Sequence, residues 1–139
     1  MMQNSTNPLQ INHLLHATFL VTDLGKARIF YENVLGLSLD QRRPEMSFPG
    51  AWYNVGTFQQ IHLMQLPNPH TSTQLPIHGG RDRHVALSVN NLNALIQKLD
   101  AFSINYTKSL SGRPALFCRD PDDNTLEFIE TDHPVNVNK

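Results

Sequence analysis

The chain is poor in the residues that mark several large classes of protein. Its 139 residues include a single cysteine, Cys118, so an internal disulfide framework is excluded. No apolar run approaches the roughly 18 residues that a membrane-spanning helix needs. The first ten residues contain neither the basic nor the apolar part of a secretion signal. We therefore expect a cytoplasmic protein without a membrane segment.

The chain also lacks an excess of positive or negative charge. Eleven Lys and Arg residues face twelve Asp and Glu residues, which gives a formal net charge of -1. The longest run of basic residues is the pair Arg42 and Arg43. The chain therefore lacks the clustered Lys and Arg residues that are typical of a nucleic-acid-binding protein. The length fits one compact domain or two small fused modules. A small molecule is therefore the expected partner.

An internal repeat is present. Residues 16–24 resemble residues 84–92, with His, Val and Leu at the same three places, and His16 and His84 are 68 positions apart. We assign residues 13–66 to a first module, 67–83 to a connecting loop rich in Pro, Gly, Ser and Thr, and 84–131 to a second module, together forming one domain. Residues 1–12 and 132–139 are expected to be irregular.

Each half changes from strand-like alternation to helical spacing. Asp23 and the pair Asn90 and Asn91 are expected to cap the two helices, and Gly36 to end the first. Further strands are predicted at 52–55, 60–66, 115–119 and 125–130, with a hairpin turn at 120–124. Cys118 is expected to be a buried thiol rather than a nucleophile. The histidines outside the predicted strands, including His70 and His78, are expected to be solvated.

Four potential metal ligands stand at equivalent places of the repeat. His16 and His84 lie on the first strand of each half, and His62 and Glu127 lie on the last. Alternation points each of them away from its apolar neighbours. Three imidazoles and a carboxylate suit Zn, Ni, Co, Fe or Mn better than calcium. Such an ion would act as a Lewis acid with two positions left for the neighbouring oxygens of a substrate, and Glu127 would move the proton.

The residues also match a family pattern. The sequence resembles the vicinal oxygen chelate superfamily, which includes glyoxalase I, fosfomycin-resistance enzymes, bleomycin-resistance proteins, methylmalonyl-CoA epimerase and extradiol dioxygenases. The resemblance rests on His16 with Asp23-Leu24, Phe30-Tyr31 with Val34-Leu35-Gly36-Leu37, His84-Val85-Ala86-Leu87-Ser88-Val89, and Asp120-Pro121-Asp122 with Thr125-Leu126-Glu127-Phe128. It implies an α+β fold of two paired βαβββ modules that form a cupped mixed sheet around a metal.

The resemblance further implies a homodimer in which His16 and His62 of one chain meet His84 and Glu127 of the other. Glyoxalase I typically has an arginine four residues after its first ligand, where this chain has Leu20, so glutathione is not expected as the substrate. The residues assigned to a substrate pocket are Thr18, Leu20, Trp52, Ser88 and Arg113.

The leading expectation is a metal-dependent lyase or isomerase of the glyoxalase I type. Alternatives are a ring-cleaving dioxygenase, which a fourth ligand at His62 would disfavour, a fosfomycin-type thiol transferase, and a metal-free ligand-binding protein like the bleomycin-resistance members. Four intact ligand positions argue against the last of these.

Overall fold

The computed structural model describes residues 7–71 and 73–131, and the expectations for residues 1–6 and 132–139, His133 included, lie outside that range. The predicted α+β fold is confirmed, with a strand, a helix and three strands following one another twice. The first set comprises β1 (His16–Val21), α1 (Leu24–Arg28) with its π-helical continuation (Ile29–Val34), β2 (Ser38–Leu39), β3 (Gly50–Val55) and β4 (Gln59–Gln65). The second comprises β5 (His84–Val89), α2 (Leu92–Ala101), β6 (Tyr106–Lys108), β7 (Ala115–Arg119) and β8 (Thr125–Glu130).

Each set forms one four-stranded mixed sheet. The strand orders are β1-β4-β3-β2 and β5-β8-β7-β6, with the first and last strand of each set parallel and the other neighbours antiparallel. The registers of the two sheets match: His62 lies opposite Thr18, two residues after His16, and Glu127 lies opposite Ala86, two residues after His84. The sequence repeat is therefore also a repeat of strand register.

One hydrophobic core takes side chains from both modules. Tyr31 and Leu63 contribute from the first module, and Leu99 and Leu126 from the second. Leu63 and Leu126 alternate along their strands with His62 and Glu127, so each sheet turns one face to the core and the other away from it. The predicted burial of Cys118 is confirmed. The faces that point away from the core carry all four predicted metal ligands.

Hydrogen bonds join the two modules where β1 ends and the β7–β8 turn begins. The hydroxyl of buried Tyr31 donates to Asp120 Oδ2 at 2.8 Å, and Asp120 is only 3% exposed. Thr22 donates from both its backbone N–H and its hydroxyl to Asp122 Oδ1, and Asn124 Nδ2 donates to the carbonyl of Leu20. The predicted hairpin turn at 120–124 thus also fixes one module against the other.

The first helix departs from the expected single α-helix. Asp23 caps it as predicted by accepting from the backbone N–H of Lys26, but the helix widens into π geometry after Arg28. Gly36 follows with φ 72°, a left-handed conformation that glycine adopts without steric cost. Within the described ranges, neither helix has the length and apolarity needed to cross a membrane.

The connecting segment is folded onto the second sheet. A short 3-10 helix, Gly79–Arg81, packs on β7 and β8 so closely that a Cβ atom on Gly79 would lie 2.7 Å from Phe117 Cβ. Arg119 holds this segment by donating to Asp82 Oδ2 at 2.7 Å and to the carbonyl of Pro76 at 2.8 Å.

His78 belongs to the same packing, so the expectation that it is solvated is wrong. It is half-buried, and its two ring nitrogens bond to the carbonyl of Lys108 and the backbone N–H of Gly80. The connecting segment therefore packs over part of the second sheet.

Candidate metal centre

The first pair of predicted ligands lies on neighbouring strands of the first sheet. The rings of His16 on β1 and His62 on β4 stack with centroids 4.0 Å apart and planes 12° from parallel. On the other side of β4, Trp52 stacks on His62 at 4.4 Å and 7°. Since β4 lies between β1 and β3, His62 is the middle ring of a three-ring stack. The tryptophan assigned to the pocket therefore contacts a candidate ligand.

A hydrogen-bond network orients the His62 ring. Its Nε2 lies 2.8 Å from Gln60 Oε1, and the amide nitrogen of Gln60 donates to Asp40 Oδ2 and Asn54 Oδ1. Because those two acceptors fix the Gln60 amide, its oxygen faces His62, and His62 Nε2 must be the donor. The lone pair of Nδ1 is then the one left for a ligand.

The surroundings of His62 favour its neutral form. Burial, the neighbouring His16 and the charge of Arg43 lower the pKa of His62, while Asp40 opposes them in part. Neutral imidazole is the form that binds a metal ion. The local electrostatics therefore suit the role that the sequence assigns to this side chain.

The second pair lies at the equivalent place of the second sheet. His84 Nε2 is 3.3 Å from Glu127 Oε1, and Glu127 is only 4% exposed. His84 Nδ1 is 2.8 Å from the backbone carbonyl of Asp82, which can only accept, so Nδ1 carries the proton. In the neutral ring Nε2 then presents a lone pair to a carboxylate oxygen.

Two acceptors that face each other need a proton or a cation between them. A backbone carbonyl that fixes the second nitrogen of a histidine is also the usual support of metal-binding histidines. The donor set therefore fits a divalent transition metal. Arg113 Nη2, 3.4 Å from Glu127 Oε2, provides the nearby positive charge that offsets the buried carboxylate.

The structure brings the four predicted ligands together two by two. Across residues 7–71 and 73–131, no three His, Cys, Asp or Glu side chains lie close enough together to hold one ion. His16 is with His62, and His84 is with Glu127, each pair on the outer face of its own sheet. One chain, as described, therefore presents two half-sites rather than one complete centre.

The residues assigned to a substrate pocket do not all lie together. Thr18 and Leu20 line a groove of about 350 Å³ that also contains Arg83 and His84. Ser88 shares the face of His84 along β5 but does not line this groove. Arg113 contacts Glu127, as described above.

Sequence reasoning missed several residues of this region. Gln60 carries a visible signal, because it precedes His62 by two residues on a strand and so shares its face. Arg43 carries none, because its position depends on the packing of a loop.

The comparisons with known proteins agree with this fold. The sequence profile of the Glyoxalase/Bleomycin resistance protein/Dioxygenase superfamily matches residues 10–128. A protein named Glyoxylase I 4 from Arabidopsis thaliana is 28% identical over 141 aligned positions, covering 95% of this chain and 78% of the relative. The human mitochondrial methylmalonyl-CoA epimerase is 25% identical, covering 81% and 69%. The lactoylglutathione lyase of Salmonella typhimurium is 28% identical, covering 84% and 91%.

Solved structures share the architecture at lower identity. The fosfomycin resistance protein FosX from Listeria monocytogenes superposes with a TM-score of 0.69 at 15% identity, covering 86% of this chain and 91% of that one. An antibiotic-binding protein from a Streptomyces strain gives 0.68 at 17%, covering 88% and 98%. The chain belongs to the Glyoxalase/Bleomycin resistance protein/Dioxygenase superfamily.

Proposed function

We propose that this protein is a metal-dependent, glyoxalase-like enzyme that binds a small substrate through two neighbouring oxygens and performs lyase or isomerase chemistry. The observation that carries the proposal is the equivalent placement of the pairs His16–His62 and His84–Glu127 on the outer faces of two sheets with the same register. The names of the relatives, glyoxalases and an epimerase among them, point to the same class.

The roles of the side chains follow from their contacts. His16, His62, His84 and Glu127 would hold the ion, which can be Zn, Ni, Co, Fe or Mn and which, when bound, supplies a Lewis acid. The Asp82 carbonyl keeps the lone pair of His84 Nε2 directed toward Glu127 Oε1. Glu127 is the carboxylate of the set and so is the group that would move a proton. Glu127 is buried, and Arg113 Nη2 lies 3.4 Å from its Oε2.

We further propose that a complete site takes one pair from each of two chains. The described part of one chain does not bring the pairs together, whereas a twofold dimer would form two identical sites from them. The species in solution is then expected to have twice the 15.8 kDa mass of the chain. Sedimentation at micromolar concentration measures this, and a monomeric mass would contradict it.

Measurement of the metal content tests whether the protein binds an ion through His62. Elemental analysis of the native protein should find about one transition-metal ion per chain. His62→Ala should hold the ion at least about 10-fold more weakly, since even the loss of a residue that only orients a ligand costs about 10- to 100-fold. His13→Ala removes an exposed histidine outside both pairs and is the matched control, expected to bind as the native protein does. If no ion is retained or can be reloaded, the enzymatic proposal fails and the metal-free binder replaces it.

Mixing two inactive variants tests the sharing of sites between chains. One variant carries His16→Ala and His62→Ala, the other His84→Ala and Glu127→Ala, and neither alone should bind the ion. After unfolding and refolding together, a mixed dimer contains one intact site, so about a quarter of the native metal content should return. If both variants refold and no metal binding returns, sites within single chains are indicated and the shared-site proposal is wrong.

A further inference from the structure

A positively charged side chain outside the predicted site lies on the face of the His16–His62 pair. Gly50 begins β3 and alternates with buried Ala51, so it shares the outer face with Trp52. A Cβ atom on Gly50 would lie 2.8 Å from Arg43 Nη2 and 3.0 Å from Arg43 Nε. The guanidinium of Arg43 therefore occupies the space over this glycine, on the face that carries the candidate ligands.

The polar groups of Arg43 are only partly satisfied. Nη2 donates to the carbonyl of Phe48 at 2.9 Å, and the guanidinium carbon lies 5.6 Å from the centre of the Phe48 ring. Nε is buried without a hydrogen-bond partner, and it is the one such side-chain atom in the described ranges. A buried donor without an acceptor costs stability, so it calls for an explanation.

The neighbouring acid does not neutralise Arg43. Asp40 accepts from the backbone N–H, Nε and Nη2 of Arg42 and from Gln60 Nε2. These partners hold the pKa of Asp40 far below its usual range. No carboxylate in residues 7–71 or 73–131 forms an ion pair with Arg43.

We propose that Arg43 binds an anionic oxygen group, a carboxylate or a phosphate, of the ligand that occupies the His16–His62 face. The proposal rests on the proposed function, in which this face holds the substrate, and it adds that the substrate is an anion. A guanidinium presents a planar set of N–H donors that matches the oxygens of either group. Trp52 and the two imidazole rings would form the flat wall beside that contact.

The single tryptophan of the chain allows this to be tested without turnover. Trp52 stacks on His62, so its fluorescence reports occupation of this face. Protein that has been freed of metal with EDTA, and then freed of EDTA by dialysis, is titrated at constant ionic strength with malonate, with inorganic phosphate, and with malonamide as the uncharged counterpart of malonate. At least one anion should change the signal saturably, while malonamide should not, and the comparison of malonate with phosphate identifies the preferred group.

Arginine variants assign the effect to Arg43. Arg43→Ala should weaken anion binding at least about tenfold, and Arg43→Lys should weaken it less because the charge remains. Arg42→Ala, which removes the neighbouring guanidinium paired with Asp40, should stay within about twofold. Arg43→Gln keeps a donor for the Phe48 carbonyl and replaces Arg43→Ala if the latter fails to fold, as judged by its thermal melt.

The outcomes are separate from those of the metal experiments. Absence of saturation below about 100 mM, equal binding by Arg43 variants and native protein, or an equal response to malonamide would each overturn the proposal. Anion binding that depends on Arg43 in a protein that takes up no metal would uphold this inference and refute the metal centre. Metal uptake without anion binding would uphold the metal centre and refute this inference.

Discussion

Removal of one buried hydroxyl tests the contact between the modules. In Tyr31→Phe the ring that packs in the core remains, while Asp120, 3% exposed, loses the bond from the Tyr31 hydroxyl. A hydrogen bond to a charged group contributes about 1.5–3 kcal/mol, and Asp120 keeps its donors Asp122 N, Asn124 N and Asn124 Nδ2. We therefore expect the free energy of unfolding to fall by about 2 kcal/mol.

A matched variant separates this effect from loss of any tyrosine hydroxyl. Tyr53 is as buried as Tyr31, and its hydroxyl also donates to a carboxylate at 2.8 Å, but the acceptor Glu32 is 29% exposed and already paired with Arg28. Water can replace the lost donor there, so Tyr53→Phe should cost less than about 1 kcal/mol. The two variants thus differ chiefly in the burial of the acceptor.

Thermal and urea unfolding measure the difference. At about 2.1 cal/mol/K per residue, the unfolding entropy of 139 residues makes 2 kcal/mol equivalent to a shift of about 7 °C. Protein concentration must be equal in all samples, because dimerisation would shift the midpoint. A Tyr31→Phe protein no less stable than Tyr53→Phe would refute the assignment of this contact as an energetic link between the modules.

The same variant has a defined pH dependence. Burial raises the pKa of Asp120 above its unfolded value, although hydrogen bonds from Asn124 and Tyr31 oppose the shift. The folded protein therefore holds this proton more tightly, and the associated stability is present at low pH and lost as pH rises through the folded pKa. Because the Tyr31 hydroxyl favours the charged form, the cost of Tyr31→Phe should be larger at pH 7 than near pH 4, as urea unfolding at the two pH values would show.

Two further substitutions test the surroundings of the site. Gly50→Ala should lower the free energy of unfolding by about 2 kcal/mol, because the new Cβ atom meets the Leu63 carbonyl and the Arg43 guanidinium. Gly25→Ala is the control, and equal urea midpoints for the two variants would contradict the packing at Gly50. Arg119→Ala should accelerate hydrogen exchange of residues 76–82 about tenfold by releasing the connecting segment. Arg81→Ala, which removes an exposed arginine from the same segment, should leave the exchange rates unchanged.

Much of the architecture is predictable because it depends on alternation within short segments. The alternation around His16 and His84 predicts both the strands and the faces on which these side chains lie, and parallel pairing of first and last strands then places His62 and Glu127 beside them. The capping residue Asp23 is found where its side-chain chemistry predicts it. These features need no knowledge of distant contacts.

Other features depend on contacts that no local pattern records. Strands β2 and β6 have two and three residues, too few for an alternation to be recognised, and they form by pairing with β3 and β7. The π geometry after Arg28 likewise has no local signal, since the same residues fit a regular helix. The positions of Arg43 and His78 depend on loops that fold back over a sheet, so neither could be assigned from sequence.

The segment that joins the modules has a second consequence. Because Gly79 packs against Phe117, which lies directly opposite Glu127, the connecting segment packs on the direct cross-strand neighbour of that carboxylate. We expect an insertion or deletion between the modules to shift Phe117, and with it the surroundings of Glu127, while both sheets keep their strands. The surroundings of one candidate ligand can therefore change through the connecting segment alone, with the candidate ligands themselves unchanged.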